Sequence, residues 1–123
     1  MQAVTRLIEI MKRLRHPETG CPWDREQTLL SILPFTLEEA YELADAVERG
    51  DTASVLEELG DLLFHIVFYA RIAEESGAFK FGDVAAAAAD KLETRHPHVF
   101  GGGSPLSGSA EQAAAWERQK TEE

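Results

Sequence analysis

Cysteine is almost missing from this sequence: Cys21 stands alone, so no disulfide can close within the chain and the expected setting is the reducing cytoplasm. Read by itself, Cys21 is a small buried or half-buried side chain. Positive charge is scarce too. Twelve Lys and Arg stand against 22 Asp and Glu, a formal net charge of −10. A surface this acidic repels nucleic-acid backbones and anionic lipid, so no nucleic acid and no membrane is expected as partner. No apolar run approaches the ~18 residues a membrane span needs. Met1-Gln2-Ala3-Val4 leads straight into an amphipathic pattern, and no secretory signal is expected. Internal repeats and strand-like alternation are also lacking. An acidic chain can still bind a polyanion such as a nucleotide, provided a cation stands between them.

What remains is helical spacing in a chain that is 44% hydrophobic and 28% charged, an ordinary globular composition for one domain. Val4, Leu7, Ile8, Met11 and Leu14 mark an amphipathic first helix. Residues His16 to Pro22 are rich in breakers and predict a loop, with a short helical turn over Glu26–Leu33. A second helix is expected after Pro34, with Thr36 as N-cap and Glu39 completing a capping box; Leu37, Ala40, Tyr41, Ala44 and Val47 form its apolar stripe. Gly50 stops it, and Asp51 or Thr52 caps a third helix that runs to about Ser76, before Gly77. So short a connection makes the two helices antiparallel neighbours. An alanine-rich helix follows over Asp83–Arg95, which Pro97 forbids to continue. Gly101 to Gly108 predict a Gly/Ser-rich loop. Ser109 and Gln112 then open a C-terminal helix through Trp116 and Lys120.

The third helix is apolar round nearly its whole circumference, the pattern of a buried helix. Yet Glu58, Asp61 and His65 fall in one wedge roughly 60° wide at ~100° per residue. Buried carboxylates need a cation or a hydrogen-bond network. On the second helix Glu38, Glu39, Glu42 and Asp45 lie away from the apolar stripe. Glu39 and Glu42 are spaced i, i+3, as are Glu58 and Asp61, so each pair projects from one side of its helix. Two antiparallel helices with such pairs can enclose a hard cation, and oxygen-only ligation selects magnesium, or manganese, over zinc. Plainer readings stay open for single residues. Glu39 can be a capping-box glutamate, Glu38 and Glu42 a solvated face, and His65 a satisfied core histidine.

The order Glu38-Glu39-Ala40-Tyr41-Glu42, then Glu58-Leu59-Gly60-Asp61, resembles the EExxE…ExxD signature of the MazG-type nucleoside triphosphate pyrophosphohydrolases. Gly20-Cys21-Pro22-Trp23-Asp24, Gly60-Asp61-Leu62-Leu63-Phe64, the run Lys91 to Gly101, and the ending with Trp116 and Lys120 are similar to the family as well. The resemblance covers nearly the whole chain, as a single domain over 1–123. It implies an all-α fold of antiparallel helices, a four-helix-bundle-like core completed by oligomerisation into a homodimer or tetramer. It also implies magnesium-dependent cleavage of NTPs or dNTPs to monophosphate and pyrophosphate. By position, Glu39, Glu42, Glu58 and Asp61 would hold metal, and Glu38 would be a further ligand or, with Glu39, orient the attacking water. Lys91 and Arg95 would bind phosphates, and Trp116, Lys120 and Trp23 would contact the nucleotide. For Lys91 and Arg95 the macrodipole of a helix C-terminus offers another explanation, and Trp23 can equally anchor the Pro22 turn.

Members most similar to this sequence usually carry two such domains in tandem. The chain stops at Lys120-Thr121-Glu122-Glu123 in a helical pattern, so it is expected to be either the amino-terminal half of a longer protein or a short form. The competing reading is a non-catalytic nucleotide-binding or oligomerisation module. Two further ones have less support. A di-iron bundle needs Glu-x-x-His on two helices and finds only Glu93-x-x-His96, and zinc at His96 and His98 lacks soft partners at the usual spacing.

Overall fold

A computed structural model describes residues 1–101 and 108–122. Among them there is no strand. Seven helices follow one another: α1 (Gln2–Leu14), α2 (Pro22–Glu26), α3 (Leu29–Arg49), α4 (Thr52–Glu75), α5 (Phe81–Arg95), α6 (Pro97–Phe100) and α7 (Ser109–Glu122). Among the described residues no helix is long and apolar enough to cross a membrane. The Gly/Ser loop expected over 101–108 lies, apart from its two ends, outside the described residues. The chain divides into two compact units, Met1–Phe81 and Gly82–Glu123.

In the first unit α3 and α4 form a hairpin across a tight turn. Gly50 ends α3 in the left-handed conformation at φ 68°, which favours glycine. Asp51 then caps α4, accepting a hydrogen bond from the Ser54 amide at 3.2 Å. As α3 advances, its partners move backward along α4: Thr36 meets Tyr69 and His65, and Glu39 meets Asp61 and Glu58. The helices are therefore antiparallel, as the short connection requires.

Helix α1 lies across α4. Met11 is fully buried against Val67, Phe68 and Ile32, with Leu7, Ile8, Phe64 and Ile72 packed around them. Each such side chain contributes about 1.5–3 kcal/mol. Arg15, just past α1, ties its end to the rest of the unit. Its Nη1 donates to the carbonyls of Asp24 and Gln27, both at 2.8 Å, and its Nε donates to Glu75 at 3.1 Å.

Two sequence expectations are corrected. Pro34 does not precede α3 but lies inside it, and the cap is Thr28. The Thr28 Oγ1 accepts from the Ser31 amide at 3.1 Å while the Ser31 Oγ accepts from the Thr28 amide at 2.7 Å. The one helical bond that Pro34 cannot make would end on Leu30, a residue 77% exposed, where water can take its place. The short turn expected over Glu26–Leu33 therefore divides between the end of α2 and the start of α3, and the breaker-rich loop ends at Pro22. Nor is α4 buried all round: Val67, Phe68, Ala70 and Ala73 are covered, but Leu56, Leu59, Leu63 and Ile66 are exposed. The stripe of α3 behaves alike, with Leu37, Tyr41 and Val47 facing solvent while Ile32, Glu39 and Ala46 turn inward.

In the second unit, α5 ends at Arg95, and Pro97 restarts the chain as the first residue of the one-turn α6. Arg95 is buried, its guanidinium over the Trp116 ring of α7 at 4.8 Å.

Candidate metal centre

The inward face of α3 has the spacing Ile32, Glu39, Ala46, one residue per two turns, and the middle position is a glutamate. That places a carboxylate where a core side chain belongs. Opposite it on α4 stand Glu58 and Asp61, one turn apart. Glu39, Glu58 and Asp61 each offer an oxygen, and the three oxygens lie within 4.8 Å of one another. Glu39 is buried, Glu58 half-buried and Asp61 exposed, so the cluster opens from the core to solvent.

Two of these carboxylates keep an oxygen without a partner among the described residues. Glu39 Oε1 and Glu58 Oε2 are buried and accept no hydrogen bond, an arrangement that costs about 1–3 kcal/mol per group and more for a charge. Burial, and then the carboxylates of Glu58, Asp61 and Glu42, push Glu39 up to about 8. Glu58 beside it also raises Glu42 above the usual carboxylate range. Like charges at this spacing cannot all ionise without a counter-charge. Orphaned buried oxygens with an all-carboxylate donor set fit a hard divalent cation.

Glu42 is exposed one turn further along α3, where with Glu58 it lines an open groove of about 370 Å³ that also holds Tyr41, Asp45, Arg49 and Ser54. Glu38 is exposed on the same helix and stands outside the three-oxygen cluster. Since Thr28 caps the helix, Glu39 is a mid-helix residue, and the capping-box explanation of it falls away. Arg49 was not among the sequence candidates. Its Nε donates to Asp45 at 2.9 Å and its Nη1 to Asp51 at 3.4 Å, which holds a cation in the groove wall; the i, i+4 spacing of Asp45 and Arg49 was the available signal.

A second group missed by spacing alone lies one turn deeper. The Thr36 hydroxyl is 2.9 Å from His65 Nδ1 and 2.5 Å from the Tyr69 hydroxyl, pinning α3 to α4 beside the carboxylates. His65 therefore bonds to Thr36, and burial holds its pKa below the usual value against the pull of Asp61.

The remaining sequence candidates occupy other places. Trp23 is about half exposed, and its ring packs edge-on against Phe35 at 5.6 Å and Phe68 at 6.5 Å. In the second unit Lys91 and Arg95 stand one turn apart on α5, Lys91 exposed and Arg95 buried. Trp116 lies between Arg95 and the His96 ring, the latter 5.4 Å away, and Lys120 forms a 3.7 Å ion pair with Glu117.

Known proteins share this arrangement of sequence. The profile of the MazG nucleotide pyrophosphohydrolase domain matches residues 27–100, which include the four carboxylates Glu39, Glu42, Glu58 and Asp61. A protein of Escherichia coli K12 named nucleoside triphosphate pyrophosphohydrolase is 56% identical over the entire chain, which covers 46% of that protein. A Thermotoga maritima protein named nucleoside triphosphate pyrophosphohydrolase/pyrophosphatase MazG is 50% identical over 77% of the chain and 37% of its own length. The chain thus spans less than half the length of the curated relatives it matches most fully. Among solved structures, a mazG-related protein from Thermotoga maritima superposes with a TM-score of 0.74 at 27% identity, covering 95% of this chain and 98% of that one.

Proposed function

Because the chain belongs to the MazG nucleotide pyrophosphohydrolase family, we propose that it hydrolyses nucleoside triphosphates, NTP or dNTP, to the monophosphate and pyrophosphate. The observation that carries this reading is the pair of orphaned, buried carboxylate oxygens on Glu39 and Glu58, beside Asp61. Glu39, Glu42, Glu58 and Asp61 would hold magnesium, with manganese as the alternative, since only hard oxygen donors are offered. A cation bound there neutralises phosphate charge and lowers the pKa of a water.

The rest falls to the chain's own residues. Glu39 and Glu58 fix the donor set from two rigid helices, and Thr36 with His65 and Tyr69 keeps those helices in register. Glu38, exposed next to Glu39 on α3, is a further ligand or, with Glu39, orients the attacking water and takes its proton. The water oxygen joins the α or the β phosphorus and the bond to the bridging oxygen between them breaks; either attack yields the same two products. In the second unit we assign the phosphates to Lys91 and Arg95 and further nucleotide contacts to Trp116 and Lys120, with Trp23 of the first unit as another. Packing by Arg95 against Trp116 supports a positioned guanidinium.

We also assign this domain, 1–123, to a homo-oligomer, a dimer as the smallest case. Leu37, Tyr41, Val47, Leu56 and Leu59 stand exposed on α3 and α4, and exposed apolar patches of this kind mark interaction surfaces. We place the protein in the cytoplasm, a reducing setting that the free Cys21 fits.

The test is a magnesium-dependent pyrophosphate-release assay over the eight common NTPs and dNTPs. Release is expected with the chain as it stands and a loss of at least about 100-fold in Glu42→Gln and Asp61→Asn, at unchanged circular dichroism. Full turnover in both variants would remove the assignment.

A further inference from the structure

The end of α4 opposite the carboxylates carries the reverse charge. Asp61 and Glu75 share that helix, and at 1.5 Å per residue they stand about 21 Å apart. Beside Glu75 an open groove of about 530 Å³ is lined by Lys12, Arg15, His16, Arg25 and Arg71. Four of the 12 Lys and Arg in a chain of net charge −10 thus gather in one place. Glu75 is the one acid in the groove wall, and Glu74 pairs with Arg71 from beside it, so cations remain in surplus.

These cations are held rather than loose. The Arg15 side chain is 8% exposed and makes four hydrogen bonds, to Asp24, Gln27 and both oxygens of Glu75. Arg71 is fixed by Glu74 at 2.7 Å and Glu75 at 3.3 Å, and Arg25 by the Pro17 carbonyl at 3.0 Å. The Nδ1 of His16 accepts the amides of Glu18 and Thr19 at 3.1 and 3.2 Å. Its neutral ring therefore carries the hydrogen on Nε2, as a donor. Arg15 commits four of its five N–H groups to these bonds, so the donors for a ligand come from Arg71, Arg25, Lys12 and His16. Guanidinium N–H groups already held in place match phosphate oxygens at low entropic cost, and the volume suits a small ligand.

We propose that this groove binds an oligophosphate anion of pyrophosphate size, at a site separate from the metal centre. Free pyrophosphate and the polyphosphate tail of a nucleotide share that chemistry. The experiment is calorimetric titration of the full chain in EDTA, where the carboxylates have no cation, with inorganic pyrophosphate in one arm and a nucleoside triphosphate in the other. Saturable binding in either arm is expected, pyrophosphate binding naming the free anion as ligand and binding of the triphosphate alone naming the tail. Charge reversal at the exposed Lys12→Glu and Arg25→Glu together should weaken it at least about tenfold, while Asp61→Asn leaves it unchanged. Should the double variant unfold, Lys12→Glu alone carries the test, with a weakening of about threefold expected. Absence of saturable binding, binding that survives charge reversal, or binding lost in Asp61→Asn overturns the proposal. Because no turnover is read, failure here leaves the hydrolase assignment untouched, and the reverse holds as well.

Discussion

Glu39 on α3 and Glu58 on α4 face one another across the helical hairpin, each with one carboxylate oxygen buried and without a hydrogen-bond donor. Glu39 is held up to about 8 in the cation-free protein, against an ordinary value of 4.5. Between those limits the folded chain keeps a proton that the unfolded chain releases. The contribution of this group to stability is therefore fully present below about pH 4.5 and lost as pH rises to about 8. A divalent cation displaces the proton, so apparent metal affinity rises over the same window. In EDTA, the melting temperature of Glu39→Gln should fall less than that of the unaltered protein between pH 5 and pH 8. Magnesium at about 100 times its Kd should stabilise the unaltered protein by about 2.7 kcal/mol and the variant far less. Melting curves across pH, with and without magnesium, check both statements; superimposable profiles for the two proteins would refute them.

The site was legible in sequence because two physical conflicts were visible there. Glu58 and Asp61 interrupt a helix otherwise apolar, and the i, i+3 pairs of two adjacent helices had to meet once Gly50 and Asp51 closed the hairpin. The start of α3 was not legible. Pro34 argues for a boundary, but the reciprocal bonds of Thr28 and Ser31 begin the helix earlier, and the carbonyl that Pro34 leaves over belongs to an exposed residue. The plain reading of Glu39 as a cap depended on that boundary and fell with it. The apolar circumference of α4 reads in sequence as a buried helix, and no spacing rule tells which part of such a surface the same chain covers. Here the chain covers only the face bearing Val67 and Phe68. The hydrogen bonds of Thr36 are not legible in sequence: the residue type reads as a cap, and hydroxyl partners 29 and 33 positions away leave no local signal.

That hydroxyl gives a sharp perturbation. Thr36→Val keeps the volume of the side chain and deletes its hydrogen bonds to His65 and Tyr69, leaving two half-buried polar groups short of a partner. A loss of about 1–3 kcal/mol in stability is expected, read by urea unfolding. Because the bonds fix the register of α3 against α4 one turn from Glu39, magnesium affinity should fall as well, while Thr36→Ser retains both. Equal metal affinity in the valine and serine variants would separate the network from the carboxylates.

Gly20 closes the loop between α1 and α2, its amide bonded to the His16 carbonyl at 2.9 Å. A Cβ there would collide with the Leu14 carbonyl and come within 2.6 Å of the His16 carbonyl. Both obstacles are backbone, which cannot swing aside as a side chain does. Gly20→Ala should therefore destabilise the first unit by about 1–3 kcal/mol, although alanine is normally the milder residue for folding. Chemical denaturation measures it. Gly60→Ala serves as the control, since nothing lies within 4 Å of a Cβ at that position in the isolated chain; an unchanged Gly20→Ala midpoint would show the loop to be pliable.

Exposed leucines on α3 and α4 mark where a second copy should sit. Leu56 is 73% exposed at the start of α4 and Leu37 56% exposed on α3, two helices whose other faces are already packed together. Water against such a surface costs about 25 cal/mol per Å², and a self-complementary cover by a two-fold axis is the commonest remedy. Light scattering of the eluting protein should give at least a dimer at micromolar concentration. Leu37→Glu with Leu56→Glu should shift it toward monomer and lower its stability, since a charge would be buried at the interface without a partner. The Gly60→Ala control acquires a second meaning in this light: a position open in one chain becomes crowded if a partner helix approaches it, so stability that falls only at concentrations favouring the oligomer would place Gly60 at the interface. A protein that remains monomeric throughout would leave these leucines without an explanation and remove the oligomer from the assignment.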